Sequence, residues 1–186
     1  MKKQKLSVYL LLAVVLLACA VFAGTKIIQI NKKYPQVVKV DVQKNDTAEL
    51  QDEVAMEVIK AEMFSMEEAE TRYSQDFINE MGTDYPFKTV EVTIELENQS
   101  DEEKEVALYD IYLEKEDYSN GLAPEVFFEI GNETDYIVLE AREVREVTLG
   151  YLIYKMHFST GEWEKMNVGD FFLAEDRYPE KIRWRM

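Results

Sequence analysis

Carboxylates are the side chains of this sequence best able to do chemistry. The chain has 37 Asp and Glu but 21 Lys and Arg, with one histidine and one cysteine. Two carboxyl groups held across a cleft can hydrolyse a glycoside, and clustered oxygen ligands can bind calcium. The densest acidic groups lie at residues 67–70, 101–103 and 114–117. None follows the calcium-loop pattern, because the segment 117–121 lacks an acid at its third position.

Most acids fall in turns or alternate with apolar residues. Glu91, Glu95 and Glu97 share one side of the alternating segment 90–97, which is typical of a charged, solvated strand face. We therefore predict no catalytic residue and no metal site. An envelope hydrolase that uses paired carboxylates is the less favoured alternative.

The single histidine and the single cysteine offer little further chemistry. His157 lies between Met156 and Phe158 near a predicted strand end, and we expect it to be a packed or half-exposed strand residue rather than a catalytic base. The sequence has no G-x-S-x-G nucleophile motif and no glycine-rich phosphate loop. One cysteine excludes a disulfide framework within the chain and a cysteine-rich zinc site. We predict that the protein is not an enzyme and binds no cofactor.

Charge is divided unequally along the chain. The whole chain carries −16, and residues 1–34 contain six lysines and no acid. The remaining residues therefore carry −22. Nucleic acid is excluded as a partner of this part, because phosphate contacts need clustered Lys and Arg.

Residues 6–24 contain no charge and predict a transmembrane anchor. As a helix they would span roughly 28 Å, close to the thickness of the hydrocarbon core of a bilayer. Residues 1–5 would form a cytoplasmic leader, because Lys2, Lys3 and Lys5 orient the N-terminus inward.

Two alternatives stay open for this segment. It could be a signal peptide cleaved after Ala23, or a lipoprotein signal with Cys19 as the lipidated residue. The apolar stretch is longer than that of a usual signal peptide, and Leu17 stands where a lipoprotein signal needs a small residue. The anchor is therefore favoured, with Cys19 as an ordinary membrane-helix residue. All three interpretations place the acidic body outside the cytoplasm.

Residues 25–47 are predicted to be a stalk and residues 48–186 one domain. Within the stalk, residues 37–42 could be a first strand or extended linker. Alternation and turn signals in the domain predict an all-β sandwich. The predicted strands are 90–97, 106–114, 126–130, 136–139, 146–154, 171–173 and 181–185, with a turn at 159–161 and a break at Tyr178-Pro179.

Residues 48–73 are the ambiguous part of the domain. They are rich in Ala, Glu, Met and Leu, which favour a helix. We prefer a strand over 55–64, followed by a helical or irregular excursion over 66–81 that ends at the loop 82–86.

The C-terminal third is rich in aromatic residues, which we expect to serve the core rather than a ligand face. Trp184 lies among Lys181, Arg183 and Arg185, which could pair with acids or face an anionic surface.

Four short segments carry a family resemblance. They are Asn31-Lys32-Lys33-Tyr34-Pro35, Glu97-Asn98-Gln99-Ser100-Asp101, Thr148-Leu149-Gly150-Tyr151 and Tyr178-Pro179. With the apolar leader, the chain resembles membrane-anchored proteins of Gram-positive bacteria known as domain of unknown function 5028, over nearly its whole length. That group is similar to immunoglobulin-like exported lipoproteins. The resemblance implies an immunoglobulin-like antiparallel β-sandwich outside the membrane, and it assigns no functional residue.

Together these observations predict a single-pass protein of the cell membrane, with its N-terminus in the cytoplasm and an acidic domain outside. We expect a non-enzymatic binding module whose partner is another envelope protein. The second hypothesis is an immunity or chaperone-like protein that neutralises a basic exported partner, because the body carries such a high negative charge.

Overall fold

The computed structural model describes residues 2–82 and 84–186, with side chains from residue 14 onward. Met1 and the side chains of the predicted leader lie outside the described residues, as does Thr83 of the predicted loop 82–86. The chain divides into two compact units, with the boundary between Val38 and Lys39.

The first unit contains helix α1 (Lys2–Lys33). Ala and Leu favour this helix, and Pro35 prevents it from continuing much further. The Tyr34 N–H closes the last turn on the Ile30 carbonyl at 2.8 Å. Its segment Val14–Lys33 is long and apolar enough to cross a membrane, by length and composition. The prediction of an apolar N-terminal helix is confirmed, and the helix continues past residue 24.

The second unit is built mainly from strands. Its elements are β1 (Val38–Val42), β2 (Ala48–Gln51), β3 (Val54–Ser65), α2 (Met66–Arg72), α3 (Gln75–Met81), β4 (Phe87–Asn98), β5 (Lys104–Ala107), β6 (Tyr112–Lys115), β7 (Tyr118–Asn120), α4 (Pro124–Glu129), β8 (Tyr136–Leu139), β9 (Val144–Tyr154), α5 (Thr160–Lys165), β10 (Phe172–Arg177) and β11 (Glu180–Arg185).

Two antiparallel sheets enclose one hydrophobic core. The first has the strand order β1-β11-β10-β6-β7, the second has the order β2-β3-β4-β9, and β5 and β8 form a separate pair. Trp184 on β11 is buried in the core, and its indole N–H donates to the Met56 carbonyl on β3 at 3.1 Å. The Tyr151 hydroxyl on β9 donates to the Ile111 carbonyl at 3.0 Å, just before β6. The predicted all-β sandwich is confirmed.

The ambiguous segment 48–73 follows the preferred interpretation. Strand β3 covers the predicted strand, and α2 and α3 form the excursion after it. Ser65 ends the strand and caps α2, because its hydroxyl accepts the Glu68 N–H while the Glu68 carboxylate accepts the Ser65 N–H. This capping box is what turns the chain from strand to helix.

The stalk region also contains a strand. Of the two possibilities for residues 37–42, the structure has the strand β1, which lies at the edge of the first sheet beside β11. The compact sandwich unit accordingly begins at Lys39, before the predicted start at residue 48.

Three predicted elements are wrong. Residues 106–114 are not one strand, because a 3₁₀ turn at Leu108–Asp110 carries the chain from β5 to β6. The predicted strand 126–130 is instead the end of α4 and its C-cap Ile130, and the helix has Pro124 in its first turn. The predicted turn at 159–161 is the start of α5, where Ser159 and Glu162 form a capping box. In the first two cases the apolar segment is short, and periodicity alone does not distinguish a helix from a strand over so few residues.

Candidate functional site

The outward face of the second sheet is the surface with the most unusual chemistry. On β4 the residues Val92, Ile94 and Leu96 point into the core, so Thr93 and Glu95 point outward. In antiparallel pairing, residues directly opposite each other share a face, so the register with β3 and β9 defines the rest of this surface.

One end of this face is covered by helices. Phe87 on β4 and Leu152 on β9 pack there against Ala69 of α2, Phe77 of α3 and Val126 of α4, forming a second hydrophobic cluster. The burial of these side chains fixes the three helices on the sheet.

Gly150 allows α4 to lie directly on β9. A Cβ atom at Gly150 would come within 2.8 Å of Val126 Cγ1 and 2.9 Å of the Phe127 nitrogen, closer than real Cβ contacts. The Gly150 carbonyl accepts the Ala123 N–H at 2.9 Å just before the helix. The glycine in Thr148-Leu149-Gly150-Tyr151 is therefore required for helix packing.

Arg72 and Tyr73 cover the side chain of Glu91 at the edge of the region where α2, α3 and α4 pack on the sheet. Arg72 Nε donates to Glu91 Oε1 at 2.5 Å and its Nη2 donates to Oε2, while the Tyr73 hydroxyl donates to Oε1 at 2.8 Å. The Arg72 guanidinium also lies 4.3 Å from the Phe64 ring centroid. Burial alone would raise the pKa of Glu91, but these hydrogen bonds hold it below its ordinary value. The prediction that Glu91 is exposed is wrong, because α2 and Tyr73 cover it.

A cleft of about 330 Å³ separates this ion pair from α4. Its lining includes Glu91, Glu129 and Thr148. Glu91 is bound by Arg72, and the Glu129 carboxylate accepts hydrogen bonds from the Ser74 N–H and hydroxyl. Glu91 thus joins α2 to the sheet, and Glu129 joins α4 to the start of α3.

Beyond the helical cover, three glutamates stand directly opposite one another. Glu57 on β3 pairs with Glu95 on β4, which pairs with Glu146 on β9. We call this row the acidic ladder. Among the described residues, no Lys or Arg lies within ion-pair distance of its carboxylates; Lys60, one row away, pairs instead with Glu62 at 2.7 Å. Like charges in such positions destabilise a sheet.

A groove of about 550 Å³ adjoins the acidic ladder. Its floor includes the small side chain of Ala55, and Glu49, Asp52 and Glu53 line it. Two further lining residues bond to outward-facing glutamates: Thr47 donates to Glu57 and Gln99 donates to Glu97.

The first sheet contains a buried carboxylate that, unlike those of the acidic ladder, is surrounded by cations. The Glu114 side chain on β6 is only 4% exposed, and Lys181 Nζ lies 2.5 Å, Lys39 Nζ 3.2 Å and Arg183 Nη1 3.5 Å from its oxygens. Arg183 also pairs with Asp41 at 2.6 Å. Burial would raise the pKa of Glu114, but the ammonium groups of Lys181 and Lys39 hold it below its ordinary value. Two of the three cations beside Trp184 therefore pair with acids.

The acidic groups singled out in the sequence do not converge. Within the described part of the chain, no three acidic, histidine or cysteine side chains are placed to hold a metal ion. Glu68 caps α2, Asp101 pairs with Arg142 at 2.9 Å, and Glu114 is buried in its ion pairs.

The remaining candidates are dispersed. His157 is exposed in the 3₁₀ turn Lys155–His157 rather than in a strand, with its ring 5.8 Å from that of Tyr118. Cys19 is an exposed free thiol on α1. Among the C-terminal aromatic residues, Phe171 and Trp184 are buried in the core as expected, whereas Tyr178 is exposed.

Asn98 has a structural role. Its side-chain amide donates to the carbonyls of Glu102, Leu139 and Glu140, and its oxygen accepts the N–H and hydroxyl of Ser100. The residue is fully buried. The Glu97-Asn98-Gln99-Ser100-Asp101 segment therefore organises the loops at this end of the sandwich.

These features define an antiparallel β-sandwich with an acidic sheet face and an apolar N-terminal helix. The model of the family described as domain of unknown function (DUF5028) matches residues 31–182, and the chain belongs to this family. The suspected family is confirmed.

Two solved structures are similar to the chain. A functionally unknown protein from Listeria monocytogenes EGD-e has 12% identity and a TM-score of 0.44, over 70% of this chain and 72% of that one. An uncharacterised β-sandwich protein from Clostridium difficile 630 has 11% identity and a TM-score of 0.43, over 81% of this chain and 96% of that one. No curated protein matches the sequence.

Proposed function

We propose that this protein is a membrane-anchored binding module that holds a basic envelope protein outside the cytoplasm and catalyses no reaction. The acidic ladder of Glu57, Glu95 and Glu146 carries the proposal, because its carboxylates face one another without a cationic partner among the described residues. A basic surface docked over the ladder would relieve this repulsion and would be attracted by the field of the acidic body.

The N-terminal helix supports the membrane location. Residues 6–24 would span the bilayer, with the N-terminus inside because of Lys2, Lys3 and Lys5. Lys26 would extend its side chain to the interface. Mass spectrometry of the membrane fraction tests the anchor: we expect peptides that begin before Leu6. A mature chain that starts at a lipidated Cys19 or at Gly24 would contradict it.

The partner is tested by capture from envelope extract on the full-length chain in detergent. The ladder variant E57Q/E95Q/E146Q is compared with the control variant E70Q/E103Q/E133Q, whose glutamates are exposed and lie outside the ladder. Both variants change the net charge equally. We expect the wild type and the control to retain basic proteins at about 50 mM salt, and the ladder variant to lose them.

Salt provides a second readout of the same proposal. Retention by the wild type should disappear at about 0.5 M salt, where the Debye length falls to a few ångströms. Equal capture by the ladder variant and the control, or capture that is independent of salt, would overturn the proposed function.

A further inference from the structure

The outward rows of the second sheet run from the cleft, over the acidic ladder, to the groove. Thr148, which lines the cleft, is opposite Thr93 on β4. The next row is the acidic ladder, and the row after it contains Ala55 opposite Glu97. The cleft at the edge of the helices and the groove therefore belong to the same sheet face, one row on either side of the ladder.

We propose that the partner presents an extended segment with two basic residues two positions apart, one over the acidic ladder and the other in the groove above Ala55. This inference rests on the proposed function and names the form of its ligand. Within the described residues of the sandwich unit, the helices pack at the other end of this sheet face, and the charge of the face is complementary to Lys and Arg.

The spacing of the rows supports an extended ligand. Outward residues along a strand repeat every second residue, at about 6.8 Å. Alternate side chains of an extended segment that runs along β3 repeat at the same distance. A basic side chain over Glu57 of the acidic ladder therefore places the side chain two positions later over Ala55.

The shape of the groove supports a long side chain at the second position. Ala55 is only 4% exposed although it faces outward, because larger neighbours surround it and leave a recess above its methyl group. A Lys or Arg stem could fill the recess, with its charged end among Glu49, Asp52 and Glu53. Arg177 and Lys104 already pair with Glu49 and Glu53, at 3.0 Å each, so an incoming cation would share these two carboxylates with them.

Two synthetic peptides of equal composition test the spacing. Both are blocked heptapeptides of Thr and Val with two lysines, placed two positions apart in the first and adjacent in the second. Binding to the full-length chain in detergent is measured by fluorescence anisotropy. We expect the first peptide to bind about fivefold more tightly, because both lysines of an extended chain then point to the sheet. Equal affinities would overturn the inference.

Substitution of the groove floor tests the recess. Ala55→Leu should remove the fivefold preference, whereas Ala55→Ser and the exposed control Ala141→Leu should preserve it. Glu49→Gln at the rim does not alter the core and should reduce the preference about twofold. This variant provides the test if Ala55→Leu fails to fold. A preference that survives both Ala55→Leu and Glu49→Gln would overturn the inference.

Two outcomes separate this inference from the proposed function. If the ladder variant E57Q/E95Q/E146Q loses basic proteins while the two peptides bind equally, the proposed function stands and the spacing is wrong. If spermidine, a flexible cation, displaces the first peptide at concentrations equal to those of the peptide, the face recognises mobile charge rather than an extended segment.

Discussion

The two sheets of the sandwich hold their acidic residues in different ways. On the first sheet, Glu114 is buried and three cations surround it. On the second sheet, Glu57, Glu95 and Glu146 are aligned at the surface without such partners among the described residues. Breaking a buried ion pair by removing one partner costs about 3–5 kcal/mol, so the cations around Glu114 stabilise the fold. The arrangement on the second sheet lowers the stability of the sheet, and no cation among the described residues offsets this cost. Such an unfavourable arrangement is typical of a surface kept for binding.

The largest expected effect comes from breaking the ion pairs of Glu114 on the first sheet. Glu114→Gln removes the buried carboxylate that pairs with Lys181, Lys39 and Arg183, and should lower the free energy of unfolding by about 3 kcal/mol. Thermal or urea unfolding of the full-length chain in detergent measures this change. Glu103→Gln at an exposed position is the control, with an expected change within about 0.5 kcal/mol. Equal effects of the two variants would remove the contrast between buried and exposed acids.

Acid should first weaken the ion pairs of the two buried glutamates, Glu114 on the first sheet and Glu91 on the second. The pKa values of Glu91 and Glu114 are lowered in the folded protein, by hydrogen bonds that outweigh the effect of burial. A carboxyl group with a lowered pKa contributes stability above its unfolded pKa of about 4.3, and this contribution is lost as the pH falls through the folded value. The free energy of unfolding should therefore be nearly constant from about pH 7 to 5.5 and fall below about pH 4.5.

The double variant E91Q/E114Q tests whether Glu91 and Glu114 cause this loss of stability at low pH. We expect it to be less stable than the wild type at pH 7 and to lose less stability on acidification, because the two responsible carboxyl groups are gone. The control E70Q/E103Q should keep the wild-type slope. If E91Q/E114Q loses as much stability at low pH as the wild type, other carboxyl groups cause the loss.

The smallest expected effect has the opposite sign. Glu95→Gln removes the central charge of the acidic ladder and should raise the free energy of unfolding by about 0.5 kcal/mol at low salt, because two repulsive pairs are lost. The gain should vanish at about 1 M salt, where exposed charges are screened. A Glu95→Gln variant less stable than the wild type would show that the ladder is compensated by neighbours.

Particular elements show how far the sequence could predict this structure. The strict alternation around Val92 and Ile94 predicts β4 and its two faces, and the uncharged residues 6–24 predict the apolar helix. The capping boxes at Ser65 and Ser159 are also visible as S-x-x-E, although only position in the fold distinguishes them from turns.

The burial of Glu91 could not be predicted. Its place on β4 equals that of Glu95 by alternation, and its partners Arg72 and Tyr73 come from a helix earlier in the chain. Local sequence contains no information about which end of a face a distant helix will cover.

Composition and alternation are enough to predict the charge division, the apolar segment and the acids that share each strand face. The alignment of Glu57 with Glu95 and Glu146 arises from the pairing of three strands in the folded domain. The alignment depends on a bulge between Val58 and Lys60, which leaves Ile59 unpaired and 38% exposed. The bulge turns Lys60 and Glu62 outward while Ala61 and Met63 pack toward the core. Strand register arises from pairing between distant segments, so neither alternation nor composition can specify it.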